Sequence, residues 1–119
     1  MTRMIILTAV ASSALTILAM IGSGFAALPS KVKLENAHVK VSEVTYTPGT
    51  PRERYTRPTN QVIVFLDDCK YERKDSKTGA KEIRERKSGD VIWHDKGEDA
   101  PQLTNLNAKP YRTLTIELK

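Results

Sequence analysis

The chain has 119 residues, a net charge of +5, one cysteine and two histidines. That length allows one domain, and a lone cysteine excludes an internal disulfide framework. The mild basic excess, with no dense stripe of Lys and Arg, excludes the usual nucleic-acid footprint.

Met1-Thr2-Arg3 is a short basic start, and Met4 to Ile21 is largely apolar and uncharged. Gly22-Ser23-Gly24-Phe25-Ala26-Ala27 follows, rich in small residues. This is the layout of a secretory signal peptide over residues 1–26, with cleavage expected after Ala26. An uncleaved anchor is the competing reading, because the apolar run approaches the length of a membrane span. The small residues and Pro29 favour cleavage, so no stable membrane span is expected afterwards. The mature chain is expected to be exported, periplasmic or secreted.

Residues 27–36 read as a linker and 37–119 as the folded domain. Val39, Val41, Val44, Thr45 and Tyr46 form a β-rich stretch whose inward parity shifts between Val41 and Val44. That shift predicts a bulge or a strand that changes sheets. Pro48-Gly49-Thr50-Pro51 is a turn. Gln61 to Asp67 is a dense apolar run, predicted to be a strand covered on both sides. Cys69 closes that run and reads as a small buried core residue.

Lys70 to Lys87 reads as a charged hairpin turning at Asp75 to Gly79. Its basic excess equals that of the whole mature chain. A docking surface for an anionic partner is one reading, and a sheet edge protected by Lys is the favoured one. Ser88-Gly89-Asp90 turns into a strand at Val91 to His94. Asp95 to Pro101 is a polar loop, and Gln102 to Asn105 is short and extended. Tyr111 to Lys119 alternates, with Leu114, Ile116 and Leu118 on one face. Short strands between Pro and Gly turns, with no amphipathic helix, predict an all-β sandwich or barrel.

Two stretches carry a family resemblance. Pro48-Gly49, five residues, Tyr55-Thr56-Arg57, then Gln61-Val-Ile-Val-Phe-Leu resembles the first cupin motif. Lys87-Ser88-Gly89-Asp90-Val91-Ile92-Trp93, with Gly97 and Asn105 beyond, resembles the second. The tail Lys109 to Glu117 is similar to the closing strand. The resemblance implies a single small jelly-roll β-barrel, as in the cupins, over nearly the whole mature domain. It says little of function, because that fold hosts enzymes, binders and storage proteins.

In the family, two histidines and a glutamate of the first motif and a histidine of the second hold a divalent metal. Here those slots are Tyr55, Arg57, Gln61 and either Ala100 or Pro101. A metal site needs converging imidazole, carboxylate or thiolate donors. Arg57 is a permanent cation with no free lone pair. The family metal is therefore expected to be lost, and neither a metal nor another cofactor is expected.

On the resemblance, Tyr55, Arg57 and Gln61 point inward with Ile63 and Phe65. A buried arginine needs a partner. A small anionic ligand held by the guanidinium is one reading. An internal pair with Glu53, Glu43 or Glu117, in a filled barrel, is the other. Trp93 reads as core or barrel wall, and His94 as a surface histidine near the barrel mouth. Tyr55, Arg57, Gln61, Trp93 and His94 make up the candidate ligand-binding set.

No serine has a partnering histidine and acid, so no catalytic residue is assigned. The leading expectation is a metal-free binder of a small molecule, with no nucleic-acid partner. A structural cupin that pairs as a homodimer is the alternative. A cupin enzyme, such as an oxygenase, isomerase or decarboxylase, ranks third.

Overall fold

The computed structural model describes residues 28–119. The expected signal peptide and its cleavage point lie outside the described residues. Within them there are ten strands and no helix.

The strands are β1 (Ser30–Glu35), β2 (Val39–Tyr46), β3 (Tyr55–Thr56), β4 (Asn60–Phe65) and β5 (Cys69–Lys74). They continue as β6 (Lys81–Arg86), β7 (Val91–His94), β8 (Asp99–Ala100), β9 (Gln102–Asn105) and β10 (Tyr111–Leu118). A five-stranded sheet runs β1-β2-β10-β4-β7, and a three-stranded sheet runs β6-β5-β9. A small β3-β8 ribbon completes the set. The strand pairs are antiparallel.

The sheets are separate ladders, so the expected closed barrel is corrected to an open arrangement of sheets. The physical reason lies at the edges. β6 ends the smaller sheet with a row of charged side chains, and such an edge resists further pairing.

The expected linker is also corrected. Ser30–Glu35 pairs with β2 from Ser30 opposite Val44 to Glu35 opposite Lys40. Its side chains are exposed along the whole strand, Val32 and Leu34 included. The bulge falls in this strand, between Val32 and Leu34. β2 itself runs in unbroken register against β10, so the expected parity shift at Val41 to Val44 is absent.

The core is aromatic. Tyr46, Phe65, Cys69, Tyr71 and Tyr111 form one buried cluster. The Tyr46 and Tyr111 rings stack with centroids 4.7 Å apart. Phe65 and Tyr71 lie 6.5 and 6.3 Å from Tyr111. Such pairs add about 0.5–1.5 kcal/mol each beyond the area they bury. Cys69 is buried within this cluster as expected, and burial pushes its thiol up to about 11.

The dense run at β4 is buried on one side only. Gln61 and Phe65 face inward and are buried, whereas Val62 and Val64 stay partly open on the outer face. The charged hairpin is present as β5 and β6, with β6 at a sheet edge.

Candidate functional site

The space between the sheets is not filled. A cavity of about 630 Å³ lies there, lined from both sheets and from the β3 segment. This corrects the filled-barrel alternative. Strand parity explains the lining, because every second residue of β2, β4 and β10 faces the same space.

Tyr55, Arg57, Gln61 and His94 all line the cavity. Trp93 does not, and its place in the ligand set is corrected. It precedes His94 on β7, so it points to the opposite face. Trp93 is 51% exposed, and its indole nitrogen donates to Asp95 at 2.8 Å.

Arg57 is held from several directions. Tyr55 and Thr56 pair with Ala100 and Asp99. The Arg57 amide donates to the Glu98 carbonyl at 3.0 Å, and its carbonyl accepts from Gly97 N–H at 2.8 Å. Gly97 has φ of +85°, a conformation that glycine adopts without strain. Pro58 follows, which favours extended backbone at Arg57.

The Arg57 side chain is 4% exposed and Gln61 is 2% exposed. Nη1 of Arg57 donates to Gln61 Oε1 at 2.7 Å and to the Tyr55 hydroxyl at 3.3 Å. Its Nε is buried with no hydrogen-bond partner. Burial lowers the guanidinium pKa, the Tyr55 hydroxyl counteracts this, and nearby Arg52 adds to the lowering.

The internal partners considered for Arg57 do not meet it. Among the described residues Arg57 forms no ion pair. Glu43 lies 3.6 Å from Lys33 instead, and Glu53 accepts from Gln102 at 3.1 Å. Glu117 lines the cavity but forms no ion pair with Arg57.

His94 sits opposite Gln61 in the β4–β7 ladder. It is therefore turned toward the cavity, and the surface reading is corrected. Its Nδ1 lies 3.2 Å from Glu98 Oε2. Burial lowers the imidazole pKa, the Glu98 hydrogen bond opposes this, and the Arg57 charge lowers it further.

These residues do not fit the divalent metal of the fold family. The amide oxygen of Gln61 is engaged by a guanidinium. The fourth slot is Ala100, directly opposite Tyr55, or Pro101 beside it, and neither side chain has a donor atom. Among the described residues no three His, Cys, Asp or Glu side chains gather into a metal-binding group.

Several cavity residues escape sequence reasoning. Arg52 donates to the Tyr46 hydroxyl at 3.2 Å and to the Pro101 carbonyl. The Tyr111 hydroxyl and Thr113 Oγ1 are buried without partners, and burial raises the Tyr111 pKa. Lys40, Arg52, Arg57, Arg73, Arg84 and Arg86 line the space against only Glu53 and Glu117. The lining carries more cations than anions, although Arg73 and Arg84 share the Glu82 carboxylate. The signal in the sequence was the charged hairpin Lys70 to Lys87, but its inward side was not evident.

No protein-family model matches the chain, and no curated protein matches it. Solved structures do. A cupin domain from Bordetella pertussis aligns with a TM-score of 0.69 at 17% identity, covering 78% of this chain and 94% of its own. A Klebsiella pneumoniae protein with a double-stranded β-helix domain aligns at 0.60 and 16% identity, covering 77% and 76%. A polyketide cyclase from Streptomyces resistomycificus aligns at 0.59 and 13% identity, covering 75% and 63%. Likeness at this identity is one of fold, and it establishes that the chain has the cupin fold, the double-stranded β-helix.

Proposed function

We propose that the chain is an exported, metal-free binding protein that takes a small anionic molecule into the cavity between its sheets. One observation carries this reading. Arg57 presents a buried guanidinium to the cavity with no carboxylate partner. An unpaired buried charge costs several kcal/mol, and a matching anion offsets that cost. Guanidinium pairs with carboxylate through two parallel hydrogen bonds. Tyr55 and Gln61 stand within reach to orient the ligand.

Thermal unfolding with benzoate tests the reading. Benzoate is expected to raise the melting temperature of the protein purified after expression of the full chain. Arg57→Ala and Arg57→Gln are expected to lose that rise. An unchanged rise in both variants places the site elsewhere.

A second reading, pairing of two copies, is favoured by the outer face of the larger sheet. Leu34, Val41, Ile116, Val62 and Trp93 lie side by side in one row across its five strands. Val91, Val64 and Leu114 form the adjacent row. Leu34, Trp93 and Val91 are exposed. The second row continues to Glu43 on β2, and the apolar part of such a face can pair with its own copy across a two-fold axis.

A further inference from the structure

Strand β6 is inside out. Ile83, the apolar residue of β6, stands 61% exposed, whereas Arg84 and Arg86 turn between the sheets and line the cavity. Burial alone favours the opposite arrangement, so packing does not account for the inward arginines.

Arg84 has a counter-ion, Glu82, at 3.1 Å, and Arg73 shares that carboxylate at 3.7 Å. Arg86 forms no ion pair among the described residues. Its guanidinium carbon stands 5.7 Å from the centre of the Phe65 ring, and its Nε is 3.4 Å from the Tyr71 hydroxyl. Like Arg57 and Arg52, it faces the cavity without an ion pair among the described residues.

A path of aromatic rings, interrupted by Arg52, joins Arg86 to Arg57. Phe65 lies beside Tyr111, which stacks on Tyr46. The Tyr46 hydroxyl accepts from Arg52, whose guanidinium carbon is 5.3 Å from the Tyr55 ring centre. The Tyr55 hydroxyl in turn accepts from Arg57. Along this floor the Tyr111 hydroxyl is buried and unpartnered.

We propose that the ligand of this cavity is a flat dianion, an aromatic dicarboxylate in chemical class. One carboxylate sits at Arg57, the other at Arg86, and the apolar body lies on the rings between. A single carboxylate at Arg57 leaves Arg86 without a counter-ion, while Arg52 is hydrogen-bonded to the Tyr46 hydroxyl and the Pro101 carbonyl. Planar apolar bodies are favoured by offset stacking on Tyr and Phe. The inference rests on the anion-binding reading above and deepens it.

Isothermal calorimetry separates the two. The probes are terephthalate and para-substituted biphenyl dicarboxylate, each compared with its monocarboxylate. At least one dicarboxylate is expected to bind about tenfold more tightly than its partner, the scale of one added charge-assisted contact. Arg86→Gln is expected to erase that difference while monocarboxylate binding persists. Arg57→Gln is expected to weaken both. Equal affinities for each matched pair, or a difference that survives Arg86→Gln, overturn the dianion and leave the single-anion reading intact. No binding by any probe overturns both.

Discussion

Nη1 of Arg57 lies 2.7 Å from Oε1 of Gln61, four residues further along the chain, and both side chains are almost fully buried. The amide oxygen satisfies one donor of the guanidinium and none of its charge. Two slots that hold metal ligands in the cupin family are thereby locked to each other. A guanidinium and an amide thus stand where metal donors would be needed.

Metal content follows from this pairing. Elemental analysis of tag-free protein, purified without chelator, is expected to find far less than one equivalent of any transition metal. A full equivalent per chain would overturn the reading. It would also return oxygenase, isomerase or decarboxylase chemistry to first place.

His94 gives the site a pH dependence. Its folded pKa lies below the ordinary 6.5 because of burial and the Arg57 charge. The unfolded chain therefore takes up this proton first, and the stability from neutral His94 is present above 6.5 and lost as pH falls below it. A bound anion favours the protonated ring. Benzoate affinity is expected to rise severalfold between about pH 7.5 and pH 5.5, near the range of imidazole titration. His94→Gln is expected to flatten the profile, and a profile unchanged in that variant excludes His94 as its source.

Asn105 ties β9 to the core end. Its amide nitrogen donates to the carbonyls of Tyr46 and Lys109, both at 2.9 Å, and its side-chain oxygen accepts from Asn107 N–H at 2.7 Å. Asn105→Ala leaves these buried groups unpaired and is expected to cost about 2 kcal/mol. The melting temperature should fall by roughly 10 °C. A change within a degree or two would mean that water replaces the amide without loss.

Pairing through the outer sheet face predicts a dimer in light scattering. Trp93→Asp and Val62→Lys are expected to give monomers that retain the far-ultraviolet spectrum of the parent. A monomeric parent at high concentration removes the pairing reading. A dimer that withstands both substitutions moves the interface to another surface.

Strand alternation is local, and so much was legible along the chain. The all-β class, the charged hairpin, β7, β9 and β10 follow from a period of two and from turn residues, whereas the inward placement of Tyr55, Arg57 and Gln61 is implied only by the cupin resemblance. The same periodicity cannot say which face of a strand is covered, because that depends on the sheet packed against it. Leu114, Ile116 and Leu118 do share a face, yet it is the outer one, while Tyr111, Thr113, Thr115 and Glu117 line the cavity. Ser30–Glu35 carries only Val32 and Leu34 as apolar residues, both exposed, and pairing with β2 is what makes it a strand. Tertiary packing also turned Trp93 outward, His94 inward and Arg86 toward Phe65. It left Arg57 without a carboxylate, because counter-ions are set by contacts between residues far apart in sequence.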